Sequence, residues 1–236
     1  MEPRPLPRGC AIDAALPSPN FGPRRGGVRP SLIVLHYTAM ASCAEARARL
    51  CDPAHEVSAH WLIDEAGRAE ALVDENQRAW HAGAGAWAGL DDINSHSIGI
   101  ELANRGDHPF ASRQMDGLEA LLRGVMARWN IAPHRIIGHS DMAPTRKGDP
   151  GARFDWQRLA RAGLSVWPQA SALAEPTTFL PSLRAFGYPD APDDALLSAF
   201  RLRFRPWARG PIDGWDAALA QDLARSFAVD RPPPLA

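Results

Sequence analysis

Three short, almost wholly apolar runs set the terms on which this chain can fold: Ser31–Leu35, Ser97–Leu102 and Arg135–Gly138. Runs of this length with scarcely a polar residue read as buried strands. Helical spacing lies between and beyond them. Over Ser112–Asn130, apolar residues recur at intervals of three and four, through Met115, Leu118, Leu121, Leu122, Val125, Met126 and Trp129. Ser42–Leu50 carries Ser42 at an N-cap position with Glu45 three residues on, and Phe154–Ala162 is a further short helix. Val57–Asp64 and Ala69–Asp74 read as two strands joined by the turn Glu65-Ala66-Gly67-Arg68. Strands alternating with amphipathic helices predict an α/β domain over residues 28–168, a central mixed β-sheet flanked by helices.

The flanks differ in composition. Residues 1–27 are rich in Pro, Arg and Gly and read as an extended arm; 169–176 reads as a linker. After it, Thr178–Phe186, Asp193–Phe204 and Trp215–Phe227 have helical patterns, enough for a small three-helix domain over 177–236. A formal net charge of −1 leaves no basic footprint, so no nucleic-acid partner is expected. No apolar run approaches the roughly 18 residues of a membrane span, so no membrane partner is expected either. Three cysteines (Cys10, Cys43 and Cys51) are odd in number and irregularly spaced, which argues against a disulfide framework; Cys43 and Cys51 are expected as buried free thiols. The arm has no hydrophobic core of a secretory signal, so the expected location is the cytoplasm, with the periplasm as the alternative if a leader precedes this sequence.

Chemistry-bearing residues gather at strand ends. The first apolar run delivers His36, and the third delivers His139, followed by Asp149 in the loop Gly138–Gly151. Two imidazoles and a carboxylate leave the fourth tetrahedral position open, the pattern of a catalytic rather than a structural zinc. Glu101 lies between Ile100 and Leu102, apolar surroundings that raise a carboxyl pKa toward the range of a general base. Lys147 is the only lysine in the chain, all other strong bases being arginines; two residues from Asp149, it suits a developing oxyanion. Each residue also has a plainer reading: a hydrogen-bonded histidine at a strand end, an aspartate opening a turn before Pro150, a glutamate paired with an arginine, a solvated loop lysine.

Five ordered segments bear on that choice: Leu35-His36-Tyr37-Thr38, Val57-Ser58-Ala59-His60-Trp61-Leu62-Ile63, Ala79-Trp80-His81-Ala82-Gly83, Asn94-Ser95-His96-Ser97-Ile98-Gly99-Ile100-Glu101, and Gly138–Gly151. Together they resemble the zinc-dependent N-acetylmuramoyl-L-alanine amidases of the peptidoglycan-recognition-protein fold, from about residue 17 to Trp167-Pro168. The resemblance implies one zinc per chain held by His36, His139 and Asp149, with Glu101 and Lys147 as the catalytic pair. It implies a substrate groove lined by Tyr37, Trp80, His81, Ala82 and Asn94, with His60 supporting the fold behind the site. The implied reaction cuts the amide between N-acetylmuramic acid, anhydro forms included, and L-alanine of the stem peptide. The implied partners are muropeptides, handled by a monomer in recycling or wall turnover. An exported wall-lytic amidase and a non-catalytic muropeptide sensor are the alternatives. Phe186-Gly187-Tyr188 and Ile212-Asp213-Gly214 resemble pieces of a three-helix peptidoglycan-binding module, with a structural cap as the other reading.

Overall fold

The structure, a computed structural model, describes residues 17–228. Residues 1–16 of the predicted arm, with Cys10, and residues 229–236 lie outside it. Its centre is a five-stranded sheet of β2 (Leu32–Tyr37), β3 (Trp61–Ile63), β4 (Ala69–Ala71), β6 (Ser97–Leu102) and β7 (Ile136–Gly138), in the order β4-β3-β6-β2-β7. β3, β6, β2 and β7 are mutually parallel, and β4 returns antiparallel to β3. The predicted mixed sheet flanked by helices is what the chain forms.

One face of the sheet carries Ile33, Leu35, Ile98, Ile100, Leu102 and Ile136. It packs against α3 (Ser112–Trp129) through Met115, Leu118, Leu121, Leu122 and Val125. That spacing lays one continuous stripe along the helix. The helix stops at Asn130, whose left-handed φ of 55° is a conformation asparagine tolerates better than most residues. Gln114 fastens α3 to the sheet, its side-chain amide donating to the carbonyls of Ile63 (3.1 Å) and Ala103 (3.0 Å).

The opposite face is divided. At one side Leu62 and Leu72 pack on α1 (Cys43–Cys51) through Ala46 and Leu50. At the other, Leu32, Val34 and Ile137 join one core with α6 (Phe179–Phe186), α7 (Asp193–Phe204) and α8 (Gly214–Ser226). Trp87 is fully buried there, edge-on to Phe186 and Tyr188 at 5.5 and 5.0 Å between ring centres. Gly187 lies where any Cβ would come within 2.8 Å of the Trp87 ring, so only glycine permits that approach. The three predicted C-terminal helices are therefore continuous in their packing with the sheet. Between the two packed regions a strip of the face stays open, and the polar residues of the site line it.

Several predicted elements shift. The expected strand over 57–64 pairs only from Trp61 to Ile63. At His60 the imidazole Nδ1 accepts the Gly99 N–H (2.9 Å), in place of a ladder carbonyl. The arm, expected to be extended, contributes β1 (Phe21–Pro23), which pairs antiparallel with β5 (Gln77–Ala79). Two single-turn helices, α2 (Ile93–His96) and α4 (His139–Met142), were not foreseen, and α5 spans Trp156–Arg161. Cys43 and Cys51 are free thiols, half-buried rather than buried, packed at the margin of the Ala46, Leu50, Leu62 and Leu72 cluster at the two ends of α1. Among the described residues no helix is long and apolar enough to cross a membrane.

Candidate active site

Sheet register builds the site. In β2 and β6, His36 is directly opposite Glu101, so both side chains leave the same face. In β2 and β7, Leu35 is opposite Gly138, which places His139 beside His36 one residue later. The chain then turns through α4, and Asp149 folds back with its backbone carbonyl accepting from Ser140 N (2.9 Å). Residues 103 and 113 positions apart in sequence thus meet. His36 Nδ1 lies 2.9 Å from His139 Nδ1 and 3.0 Å from Asp149 Oδ2, and His139 Nδ1 lies 3.1 Å from the same oxygen. All three residues are buried.

Hydrogen-bond direction fixes which nitrogens carry protons. The Ile93 carbonyl can only accept, so the Ser97 hydroxyl donates to it (2.5 Å). Ser97 Oγ then accepts from His81 Nε2 (3.1 Å), which leaves His81 Nδ1 to accept from His36 Nε2 (3.1 Å). His36 Nδ1 is consequently a bare lone pair. His139 Nε2 donates to the Ala82 carbonyl (2.9 Å), so its Nδ1 is bare as well. Burial holds the His36 imidazolium down to about pH 4, reinforced by the neighbouring His139. Three lone pairs converge with no proton among them. In tetrahedral zinc geometry neighbouring ligand atoms lie about 3.3 Å apart, close to the spacing here. The donor set therefore fits a cation, and His36, His139 and Asp149 would hold it.

This cluster forms the floor of a cavity of about 380 Å³, lined also by Tyr37, Trp80, His81, Glu101, Arg49 and Lys147. Glu101 Oε2 is buried without a hydrogen-bond partner. Burial, then the charge of Asp149, raises its pKa to about 8, with Lys147 pulling the other way. The plainer reading of Glu101, a salt bridge to arginine, is not what the structure contains. Lys147 is exposed on the rim and makes no ion pair among the described residues.

The residues expected to line the groove divide. Tyr37, Trp80 and His81 face the cavity. Asn94 does not: it is buried beneath the loop, its Oδ1 accepting from His81 N (3.0 Å) and Ala82 N (2.8 Å). Ala82 is buried too, and its carbonyl accepts from His139 and from Arg146 (2.9 Å). His60 supports the floor from behind, bonded to Gly99 and to the Gln77 carbonyl (3.0 Å). Gly99 is indispensable to this arrangement, since a Cβ there would stand 2.4 Å from the His81 ring. Sequence reasoning did not find Ser97 as the end of the His36 chain, nor Arg24, whose buried guanidinium donates to the carbonyls of Ser95 (2.6 Å) and Ser97 (3.1 Å). The only sequence signal for Arg24 is an arginine in an otherwise open arm.

The family profile of the N-acetylmuramoyl-L-alanine amidases matches residues 26–152. The N-acetylmuramoyl-L-alanine amidase AmiD of Escherichia coli is 33% identical over 86% of this chain and 85% of that protein. The 1,6-anhydro-N-acetylmuramyl-L-alanine amidase AmpD of Haemophilus influenzae is 35% identical over 65% of this chain and 94% of its own. Among solved structures, E. coli AmiD with anhydro-N-acetylmuramic acid-L-Ala-D-γ-Glu-L-Lys superposes with a TM-score of 0.78 at 32% identity, covering 86% of this chain and 92% of that one. AmpDh3 of Pseudomonas aeruginosa, in complex with an anhydromuramic pentapeptide, gives 0.76 at 31% identity, covering 87% and 95%. With the profile spanning more than half of the sequence and the likeness to AmiD running nearly end to end, this chain belongs to the N-acetylmuramoyl-L-alanine amidase family.

Proposed function

We propose that the chain hydrolyses the amide between the lactyl group of N-acetylmuramic acid and L-alanine of peptidoglycan stem peptides, anhydro-muropeptides included, with one zinc held by His36, His139 and Asp149. The observation that carries this reading is the convergence of three unprotonated donor atoms at the floor of an open cavity, beside a carboxylate oxygen with no partner. Two nitrogens and one oxygen with a free fourth position suit a catalytic zinc. When bound, that ion supplies Lewis acidity for the scissile carbonyl and for the attacking water.

The chain's own groups do the rest. Glu101 accepts the proton of the attacking water at Oε2 and returns it to the departing L-alanine nitrogen; a pKa raised toward neutrality suits both transfers. The Lys147 ammonium opposes the negative charge that develops on the carbonyl oxygen. Tyr37 and Trp80 offer ring surfaces to the substrate along the cavity wall, and His81 holds the His36 ring while facing the same space. Anhydro-muropeptides are favoured because the relatives solved with ligand hold anhydro-muramyl peptides. That preference suits a role in muropeptide recycling.

The test is direct. Zinc-loaded protein is incubated with an anhydro-muropeptide and, separately, with intact sacculi, and free stem peptide is followed by chromatography. Release from the small substrate is expected to be the faster; substrate left intact in both arms would overturn the proposal.

A further inference from the structure

His139 comes with a brace that neither the family assignment nor the proposed catalysis uses. Two residues after it, Asp141 is fully buried, and its carboxylate takes three donors. One is the Gly138 N–H (2.8 Å), at the residue preceding His139. The other two come from the C-terminal helical region: Arg203 Nη1 of α7 at 2.7 Å, and the Tyr188 hydroxyl, which follows α6, in a short hydrogen bond. Arg203 reaches further. β7 is an edge strand, and Arg203 Nη2 donates to its Ile136 carbonyl (3.0 Å) and to Ser165 Oγ (3.3 Å). Its guanidinium is stacked 4.2 Å over Trp156 and 4.9 Å from Phe204. Both partners of the Arg203–Asp141 pair are about 1% exposed, so solvent screening hardly weakens it and the geometry of the planar fork is fixed.

We propose that Arg203 and Tyr188 are positioning residues for the His139 metal ligand, acting through Asp141, so that the C-terminal helices are part of the metal site rather than a separate binding module. The inference rests on the reading of His36, His139 and Asp149 as a metal site. Asp141 clamps the turn from β7 into α4, and that turn sets the direction in which His139 Nδ1 points. Without the Tyr188 hydroxyl, Asp141 Oδ1 loses its donor and only the Gly138 N–H and Arg203 remain; without the Arg203 fork, only the Gly138 N–H and Tyr188 remain, and in either case the buried carboxylate is drawn toward other partners. Outer partners of metal ligands characteristically change metal affinity about 10- to 100-fold when removed.

The experiment measures zinc affinity of the full chain by competition with a chromophoric chelator, well below the melting temperature. Tyr188→Phe keeps the ring against Trp87 and Phe186 and removes only the hydroxyl; Arg203→Lys keeps the charge and loses the fork. Leu223→Ala, in the α8 core and distant in role, is the control for general loosening. Tyr188→Phe is expected to weaken zinc binding about tenfold, with KM for muropeptide unchanged and kcat reduced at limiting zinc, and Arg203→Lys to weaken it more. Leu223→Ala is expected to lower the melting temperature with zinc affinity retained. Parental zinc affinity in both folded brace variants would overturn the inference, as would an equal loss in Leu223→Ala. Failure of the parent protein itself to bind zinc would instead overturn the metal-site reading.

Discussion

The surroundings of His36, His139 and Asp149 and those of Glu101 and Lys147 are opposite in kind, although all five line one cavity. "Held" describes the first: His36 is backed by His81, Ser97 and the Ile93 carbonyl, His139 by the Ala82 carbonyl, and Asp149 is tied through its backbone carbonyl to Ser140 N. The second are left unsatisfied: Glu101 has a buried oxygen with no partner, and Lys147 stands exposed and unpaired among the described residues. The contrast teaches how the fold divides its labour. On the proposed mechanism, the donor geometry is fixed by chains of hydrogen bonds, whereas the groups proposed to exchange protons or meet charge are left open toward the cavity.

That contrast can be broken from either side. The largest effect is expected for Asp149→Ala, which removes a ligand: bound zinc is lost and stem-peptide release falls to background, as metal analysis alongside turnover would reveal. Next is Lys147. Lys147→Met is expected to lower kcat about 100-fold through lost charge stabilisation, with zinc retained. Lys147→Arg restores the charge in a planar form, and full activity in that variant would show that a compact ammonium is not required. Smaller again is Gly99→Ala, which moves the His81 ring and so disturbs His36 from behind; zinc affinity should fall about tenfold, measured by chelator competition. The smallest effect is on stability without metal. The folded Glu101 carboxyl keeps its proton up to about 8, whereas the unfolded one releases it near 4.5. The folded state therefore binds the extra proton across that window, and metal-free protein loses stability as pH rises through it. Glu101→Gln should flatten this part of the melting-temperature profile; an unchanged slope would contradict the burial of that carboxyl.

Much of the site's donor set and its carboxyl neighbour was legible in the sequence, because it depends on local pattern. Apolar runs ending on His36 and His139, and Glu101 within a third run, are visible without coordinates, and strand pairing needs only the right register to bring them together. The backing chains were not legible. Ile93 opens a helix of four residues, too short for any periodicity, with Ser97 just past its end, and Arg24 meets its carbonyls some seventy positions away. Asn94 sat in a recognisable motif, but the motif could not say that its side chain faces the loop rather than the groove. The same holds for Asp141, whose partners Tyr188 and Arg203 lie beyond the predicted linker. In the sequence they look like part of another unit; in the fold they reach the edge of the sheet.

The central claim is that Glu101 performs the proton transfers while contributing nothing to holding the metal. Glu101→Gln, nearly the same in shape, measured for zinc content and for stem-peptide release from anhydro-muropeptide, tests this most directly. The account predicts one zinc per chain as in the parent, with turnover reduced about 10²- to 10⁴-fold. Parental turnover in that variant, or loss of its zinc, would contradict it.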